Sequence, residues 1–383
     1  MAGKGKGNAY SDSPSVSTIV GTLTERIRTG RYRDGRWFPT ERELVEEFGV
    51  SRTIIRKAVE ALEQRNLVMR SPRCRTVVQG VPVAEIPPRE TKRRNLGLWI
   101  WPGPTDPAAA SVVQGIYNAL DHTAFRVVVG SPVGDYWKPI NESEARFLES
   151  MADDQDIAGI LLWYLGGDMN QPALQKVRAA NIPMVFLDRR PPEGFDADFV
   201  GVDNLYAAEQ VVRHLVRQGH RRIAHITNMD HVSTVAERLE GYRRALEAAE
   251  IPFRPELVLK ETAPTRREQG DVFAGLVENL LALPGAPTAV FAVNDHVALH
   301  LIAALRARGV RVPEDIAVAG FDGVERWMPG APFLTTALQP FERLGARAID
   351  LLLQRIENDP AAAYQHILLD APLSIHDSTR ASH

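Results

Sequence analysis

FPTERELVEEFGVSRTIIRKAVEALEQRNLVMRSPRCRT, residues 38–76, carries the start and stop signals of two short helices joined by a glycine turn and followed by a basic hairpin. Thr40 and Glu43 have the spacing of a capping box, in which each side chain satisfies a backbone donor of the other, so a helix is expected from Glu41. Leu44, Val45 and Phe48 give it an apolar stripe. Gly49 suits a tight turn, and Ser51 is expected to cap a second helix from Arg52. On that helix Ile55, Val59 and Leu62 face inward, while Arg52, Thr53, Arg56 and Lys57 cluster near its N-terminal end. In a helix-turn-helix that end enters the major groove. Arginine can pair bidentately with guanine or clamp phosphate, and lysine serves phosphate as a point charge.

Upstream, Val16, Ile19, Val20, Leu23 and Ile27 predict an amphipathic helix that covers the pair. Downstream, residues 67–69 and 76–78 predict two short strands with residues 71–75 as a wing tip. These residues resemble the DNA-binding head of the GntR family, most specifically in the run ERELVEEFGVSRTIIRKAVEALE. The resemblance implies DNA contacts at Arg42, Arg52, Thr53 and Arg56. The wing departs from the family's RxxGxGT form, having RSPRCRT with Arg73 and Arg75 where glycines stand. Arg70, Arg73 and Arg75 are expected to contact phosphates.

Charge divides the chain. Residues 1–80 hold 15 Lys and Arg against 9 Asp and Glu, residues 81–94 hold 4 against 2, and the whole chain carries −3, which leaves −11 on residues 95–383. A basic head on an acidic body is the distribution expected when one end binds nucleic acid, because phosphate attraction is local and screened. At 383 residues and 44% hydrophobic the chain is expected to form two or three soluble domains. Residues 1–13 are polar and predict a disordered tail, neither signal peptide nor anchor. No apolar run approaches the length of a membrane span, and no membrane partner is expected. Cys74 is the single cysteine, which excludes an intramolecular disulfide and a multi-cysteine zinc site, and no metal or cofactor is expected. A cytoplasmic setting fits.

Residues 81–94, VPVAEIPPRETKRR, lose hydrophobic periodicity and predict a semi-stiff linker between a head at 14–80 and a core at 95–383. From Asn95 the pattern alternates strand and helix. Strands are expected at 96–101, 126–130, 157–164, 183–188, 222–227, 288–295 and 316–322. Near-continuous apolar strands separated by helices imply an α/β fold with parallel sheets buried on both faces. Seven units exceed one small sheet, so two doubly wound lobes are expected. Ligands in such sheets bind beyond the carboxyl ends of the strands. There the chain places Trp101, Trp163, Tyr164, Asp188, Asn294, Asp295 and Asp322. Carboxylates and amides can bind paired hydroxyls and an indole can stack on a sugar; the same set accepts a nucleoside. The bland alternatives are N-caps for the acids and core for the aromatics, and Asp295 is expected to cap the next helix.

The runs GVDNLYAAEQVVRHLVRQGHRRIAHI, ERLEGYRRAL, AVFAVNDHVALHLIAALRARGVRVPEDIAVAGFDG and LTTALQPFERLGARAIDLLL resemble the periplasmic-binding-protein-like effector core of LacI/GalR repressors. That resemblance implies effector contacts at Asp188, Arg238, Asn294, Asp322 and Gln339, with Thr234 one turn before Arg238. A surface ion pair with Glu237 or Glu240 is the alternative for Arg238. The resemblance further implies chain crossings near 202–204, 337–341 and 366–370. They divide lobe 1, about 95–202 and 341–367, from lobe 2, about 203–338 and 369–380. A GntR head on a LacI core resembles arabinose-responsive repressors. The combination implies a homodimeric repressor on double-stranded operator DNA, controlled by a small sugar-like effector, with a nucleoside or sugar phosphate as the alternative effector. Two rivals are an enzyme, for which the chain has no GxGxxG after a strand, GxxxxGK[ST], GxSxG or HExxH, and a DNA-binding scaffold with a degenerate pocket.

Overall fold

The computed structural model describes residues 15–28, 32, 38–65, 67–69, 76–78, 95–103, 106–120, 125–132, 137–228, 232–261, 269–357 and 362–380. The chain divides into two units, residues 1–91 and 92–383.

The first unit holds α1 (Val16–Arg28), α2 (Glu41–Phe48), α3 (Arg52–Gln64), β1 (Val68–Met69) and β2 (Val77–Val78). The capping box forms: the Glu43 amide donates to Thr40 Oγ1 at 3.3 Å and the Thr40 amide to Glu43 Oε2 at 2.7 Å. Gly49 ends α2 at φ 64°, a conformation that favours glycine. Ser51 occupies the N-cap position of α3, but its side chain makes no capping bond, so that start rests on packing. Ile19, Leu23, Leu44, Ile55, Val59, Leu62 and Val68 share one core. Val68 pairs with Val78 and Met69 with Val77, antiparallel, as the base of a wing. The wing tip with Arg70, Arg73, Cys74 and Arg75, the N-terminal tail and the expected linker lie outside the described residues.

The second unit is a two-lobed α/β core. Its first run is β3 (Asn95–Trp99), α4 (Pro107–Leu120), β4 (Arg126–Gly130), α5 (Trp137–Asp153), β5 (Ile157–Leu162), α6 (Gln171–Ala179), β6 (Met184–Leu187) and β7 (Asp198–Val202). The chain then forms α7 (Asn204–Arg217), β8 (Ile223–Thr227), α8 (Ser233–Ala248), β9 (Val258–Lys260), α9 (Gln269–Ala282), β10 (Ala289–Ala292), α10 (Asp295–Ala307), β11 (Ala317–Asp322) and β12 (Thr335–Leu338). It closes with α11 (Phe341–Glu357), β13 (His366–Leu369) and β14 (Leu373–Ser374).

Lobe 1 is a parallel sheet of order β13-β7-β6-β5-β3-β4, and lobe 2 a sheet of order β14-β12-β11-β10-β8-β9, parallel except where β14 runs against β12. β5, β6, β8 and β10 are buried along their whole length, as strands covered on both faces must be. The chain passes between lobes three times: after β7, after β12 and after β13. β13 carries lobe 1 to Leu369, two residues beyond the expected end at 367. Its place beside β7 is fixed by Arg355 of α11, whose Nε and Nη2 meet the Asp198 carboxylate at 2.8 Å each, while the Gln365 amide donates to the same carboxylate at 2.8 Å. α11 also seals lobe 1 against α4. A Cβ at Gly115 would lie 1.9 Å from the Glu342 carbonyl oxygen and one at Gly345 2.1 Å from that of Val112, so the helices touch backbone to backbone.

Candidate functional site

The head presents its cations outward. Arg42, Arg52, Thr53, Arg56 and Lys57 are all exposed. Arg52 Nε donates to Glu41 Oε2 at 3.0 Å, and Arg56 Nε lies 3.5 Å from Glu41 Oε1. Burial opposes ionisation of Glu41, but these two arginines outweigh it and hold the carboxyl below its usual range. One carboxylate at the start of α2 thus steadies two guanidiniums on the first turns of α3. Arg42 makes an exposed i,i+4 pair with Glu46.

In the core, strand ends from both lobes converge. From lobe 1 come Trp163, just past β5, and Asp188, just past β6. From lobe 2 come Thr227, Thr234, Arg238, Asp322 and Gln339. Trp163 Nε1 donates to Asp188 Oδ2 at 3.0 Å. Gln339 Nε2 donates to Asp322 Oδ1 at 2.9 Å, and Arg238 Nη2 lies 3.4 Å from the same oxygen. Arg238 also donates from Nε to Asn204 Oδ1 at 3.0 Å and from Nη1 to the Val293 carbonyl at 2.7 Å, with its guanidinium 3.7 Å from the Phe321 ring centre. It is buried, so the surface-pair alternative does not hold: Glu237 engages Arg190 and Glu240 engages Arg244. Asp188 and Asp322 adopt left-handed backbone, φ 63° and 117°, strained for residues with side chains and common at ligand-holding turns. Burial raises both carboxyls, countered at Asp188 by Arg189 and Arg238 and at Asp322 by Arg238 and Gln339.

Two buried carboxylates brace this cluster from behind. In lobe 1, Glu144 accepts from the Leu165 and Gly166 amides at 2.7 and 2.6 Å and from Asn170 Nδ2 at 2.8 Å. In lobe 2, Asp295 accepts from the Gly323 and Val324 amides at 2.7 and 2.8 Å and from Thr336 at 2.6 Å. Each tethers the loop that follows a strand end. Burial pushes Glu144 up to about 7 and Asp295 up to about 8.

Two expected contacts are placed differently. Asn294 is the N-cap of α10, accepting from the Val297 amide at 2.9 Å, and Asp295 sits one residue inside the helix as the loop tether, not the cap. Tyr164 packs on the opposite sheet face from Trp163, against Phe186 at 5.4 Å, with its hydroxyl donating to the Gly167 carbonyl. Successive strand residues point to opposite faces, so adjacent aromatics do not share a pocket. Trp101 is half-buried against the core, and Thr234 is buried in the first turn of α8.

Sequence reasoning omitted Arg189 and Arg190, and considered Glu237 only as a surface partner of Arg238. Arg190 leaves lobe 1 to meet lobe 2: its amide donates to Ser233 Oγ at 3.0 Å and its Nε to Glu237 Oε1 at 2.5 Å. The available signal was the run Asp188-Arg189-Arg190, three charges directly after a buried strand. Buried atoms without a partner include Asp188 Oδ1, Gln339 Oε1, Thr227 Oγ1 and Arg189 Nε and Nη1. Protein interiors leave few such atoms, and several on converging strand ends mark where a polar ligand would complete them. Among the described residues no group of His, Cys, Asp and Glu could hold a metal.

Family models match both units: "Bacterial regulatory proteins, gntR family" over residues 16–78 and "Periplasmic binding protein-like domain" over residues 212–379. The HTH-type transcriptional repressor CytR of Escherichia coli (strain K12) is 31% identical over 284 residues, 74% of this chain and 79% of that protein. The HTH-type transcriptional repressor PurR of Aliivibrio fischeri (strain ATCC 700601 / ES114) is 31% identical over 66% of this chain and 72% of its own length. Among solved structures, the transcription regulator CcpA of Lactococcus lactis superposes with TM-score 0.64 at 26% identity, covering 75% of this chain and all of that one. The transcriptional regulator CelR in complex with cellobiose shares the fold at TM-score 0.64 and 24% identity, over 95% of this chain and 99% of that one. With a two-lobed core of this topology behind a winged helix-turn-helix, the chain belongs to the LacI-type family of transcriptional repressors and carries a GntR-type DNA-binding head.

Proposed function

We propose that this DNA-binding repressor is released from, or locked onto, its operator by a small polyhydroxylated, sugar-like effector held between the lobes. One observation carries the reading: Asp188 Oδ1 from lobe 1 and Gln339 Oε1 from lobe 2 are buried acceptors without donors, and hydroxyl groups are the donors that fit them. Trp163, Asp188, Thr234, Arg238, Asp322 and Gln339 form the effector set, with Trp101 at its margin. Asn294 and Tyr164 act through the helix and sheet they brace. Effector bonds that span the lobes favour one interlobe arrangement, which is the differential affinity an allosteric change requires.

On the DNA side, Arg52, Thr53 and Arg56 are the base-reading candidates, with Arg42, Lys57, Arg70, Arg73 and Arg75 assigned to phosphate. A homodimer in the cytoplasm would place two heads on half-sites about one helical turn, or a multiple, apart. Tyr117 on α4 and Val128 and Val129 on edge strand β4 are exposed apolar residues suited to pairing. The test joins binding to output: a thermal-shift screen of pentoses, hexoses, polyols and nucleosides, then operator gel shifts with each hit. A sugar that raises the melting temperature and changes operator affinity supports the reading; a panel without any hit removes it.

A further inference from the structure

Nearly every charged group between the lobes has its hydrogen bonds met by the protein. Both oxygens of Glu144 and of Asp295 accept from loop amides and neighbouring side chains. Asp322 Oδ1 takes Gln339 and Arg238, and Arg238 uses all three nitrogens on Asn204, Val293 and Asp322. Arg189 differs. Its side chain is 11% exposed, and Nε and Nη1 are sealed from solvent with no partner. The Asp188 carboxylate lies 3.9 Å from Nε, beyond hydrogen-bond reach, with its Oδ2 already bonded to Trp163. Glu144, Arg238 and Asp322 stand within electrostatic range, but their bonds go elsewhere. Burial lowers Arg189 to about 10, so it remains a cation at neutral pH. The protein has desolvated a guanidinium without giving it a hydrogen-bonded counterion.

We propose that Arg189 receives an acidic group of the effector, so that the cleft selects a sugar carboxylate or sugar phosphate over the neutral sugar. This rests on the reading of the cleft as an effector site and narrows its ligand. The lone acceptors Asp188 Oδ1 and Gln339 Oε1 call for hydroxyl donors, while the lone donors of Arg189 call for an acceptor. A neutral hydroxyl can fill the geometry, but it leaves the guanidinium with only the 3.9 Å ion pair to Asp188 and no hydrogen-bonded anion. An anionic oxygen answers both needs, and charge-assisted bonds are roughly twice as strong as neutral ones. Arg238, the obvious cation from sequence, is held by protein partners and serves to position Asp322.

Isothermal titration of the full chain tests this. Glucuronate and galacturonate supply the carboxylate arm, glucose and ribose monophosphorylated at the terminal carbon the phosphate arm, and the unmodified sugars the controls. At least one acid is expected to bind about tenfold or more tightly than its neutral parent. Arg189→Gln should erase that preference, and Arg189→Lys should keep part of it. A neutral sugar that binds as well as its acid, or a preference unchanged in Arg189→Gln, overturns the proposal and leaves the effector reading standing. Absence of binding by every compound overturns both. If Arg189→Gln does not fold, as judged by circular dichroism, the wild-type comparison of acid with neutral parent decides alone.

Discussion

The arginines proposed for recognition in the head and in the core stand under opposite physical conditions. Arg42 and Arg52 have side chains 89% and 73% exposed, whereas Arg238 is 6% exposed. An exposed guanidinium attracts phosphate through water and works best at low salt; its exposed ion pairs contribute little to stability. A buried guanidinium works by fixed geometry, and its removal strands the groups it served. On the proposed assignments the same residue type would give the head a tunable affinity and the core a rigid one.

Four perturbations sharpen or break that contrast. The largest is salt: operator affinity should fall roughly a thousandfold between about 50 and 200 mM if about six phosphates are contacted, while effector affinity changes little. Equal slopes for both ligands in binding titrations would dissolve the distinction. Next, Arg238→Ala leaves Asp322 and Asn204 buried without their partner, so the core should lose about 3–5 kcal/mol as well as its effector response. Urea denaturation of the variant measures this, and an unchanged midpoint would show the site to be more hydrated than it is here.

Arg52→Ala and Arg56→Ala should each weaken operator binding by about 1–3 kcal/mol with stability unchanged within about 0.5 kcal/mol. Fluorescence anisotropy on the operator reads the first, thermal melting the second. Retained affinity in both variants would remove α3 from the readout.

The smallest effect is on pH. Burial raises Asp295 to about 8 and Glu144 to about 7, above their unfolded values, so their stabilisation is complete at low pH and is lost as pH rises through those values. His225, lowered to about 4 by burial, acts in the opposite sense and only below its ordinary value. Between about pH 6.5 and 8.5 the carboxylates dominate, so the core's melting temperature should decline. Asp295→Asn should flatten that slope, and an identical slope in the variant would show that the loop amides keep Asp295 ionised throughout.

How much of this was legible in the sequence follows from what each signal depends on. The head was legible because caps, turn and stripe are local, and among its described residues the Ser51 cap is the one that did not form. The long apolar strands were legible for the same reason. β7, β9, β12, β13 and β14 were not assigned as strands. β12 is TTAL, whose polar residues find distant partners: Thr335 bonds His376 and Thr379, and Thr336 bonds Asp295. No periodicity announces such bonds. In the site, strand-end acids were legible as types, but the division between loop tether and ligand group was not. Asp295 and Asp322 end similar strands in sequence, and only packing shows one turned inward to the Gly323 amide and the other toward Gln339. Arg189 escaped because its meaning lies in partners it lacks.

The return of the chain to lobe 1 through α11 has a consequence for synthesis on the ribosome. Lobe 1 cannot close when its first eight elements have emerged, because the helix that meets Gly115 at van der Waals distance and the strand that pairs with β7 are encoded more than 130 residues after Val202. The head, by contrast, has all its parts within the first 78 residues and can fold while the core is still being made. A nascent chain therefore completes its DNA-binding head before its ligand-binding core.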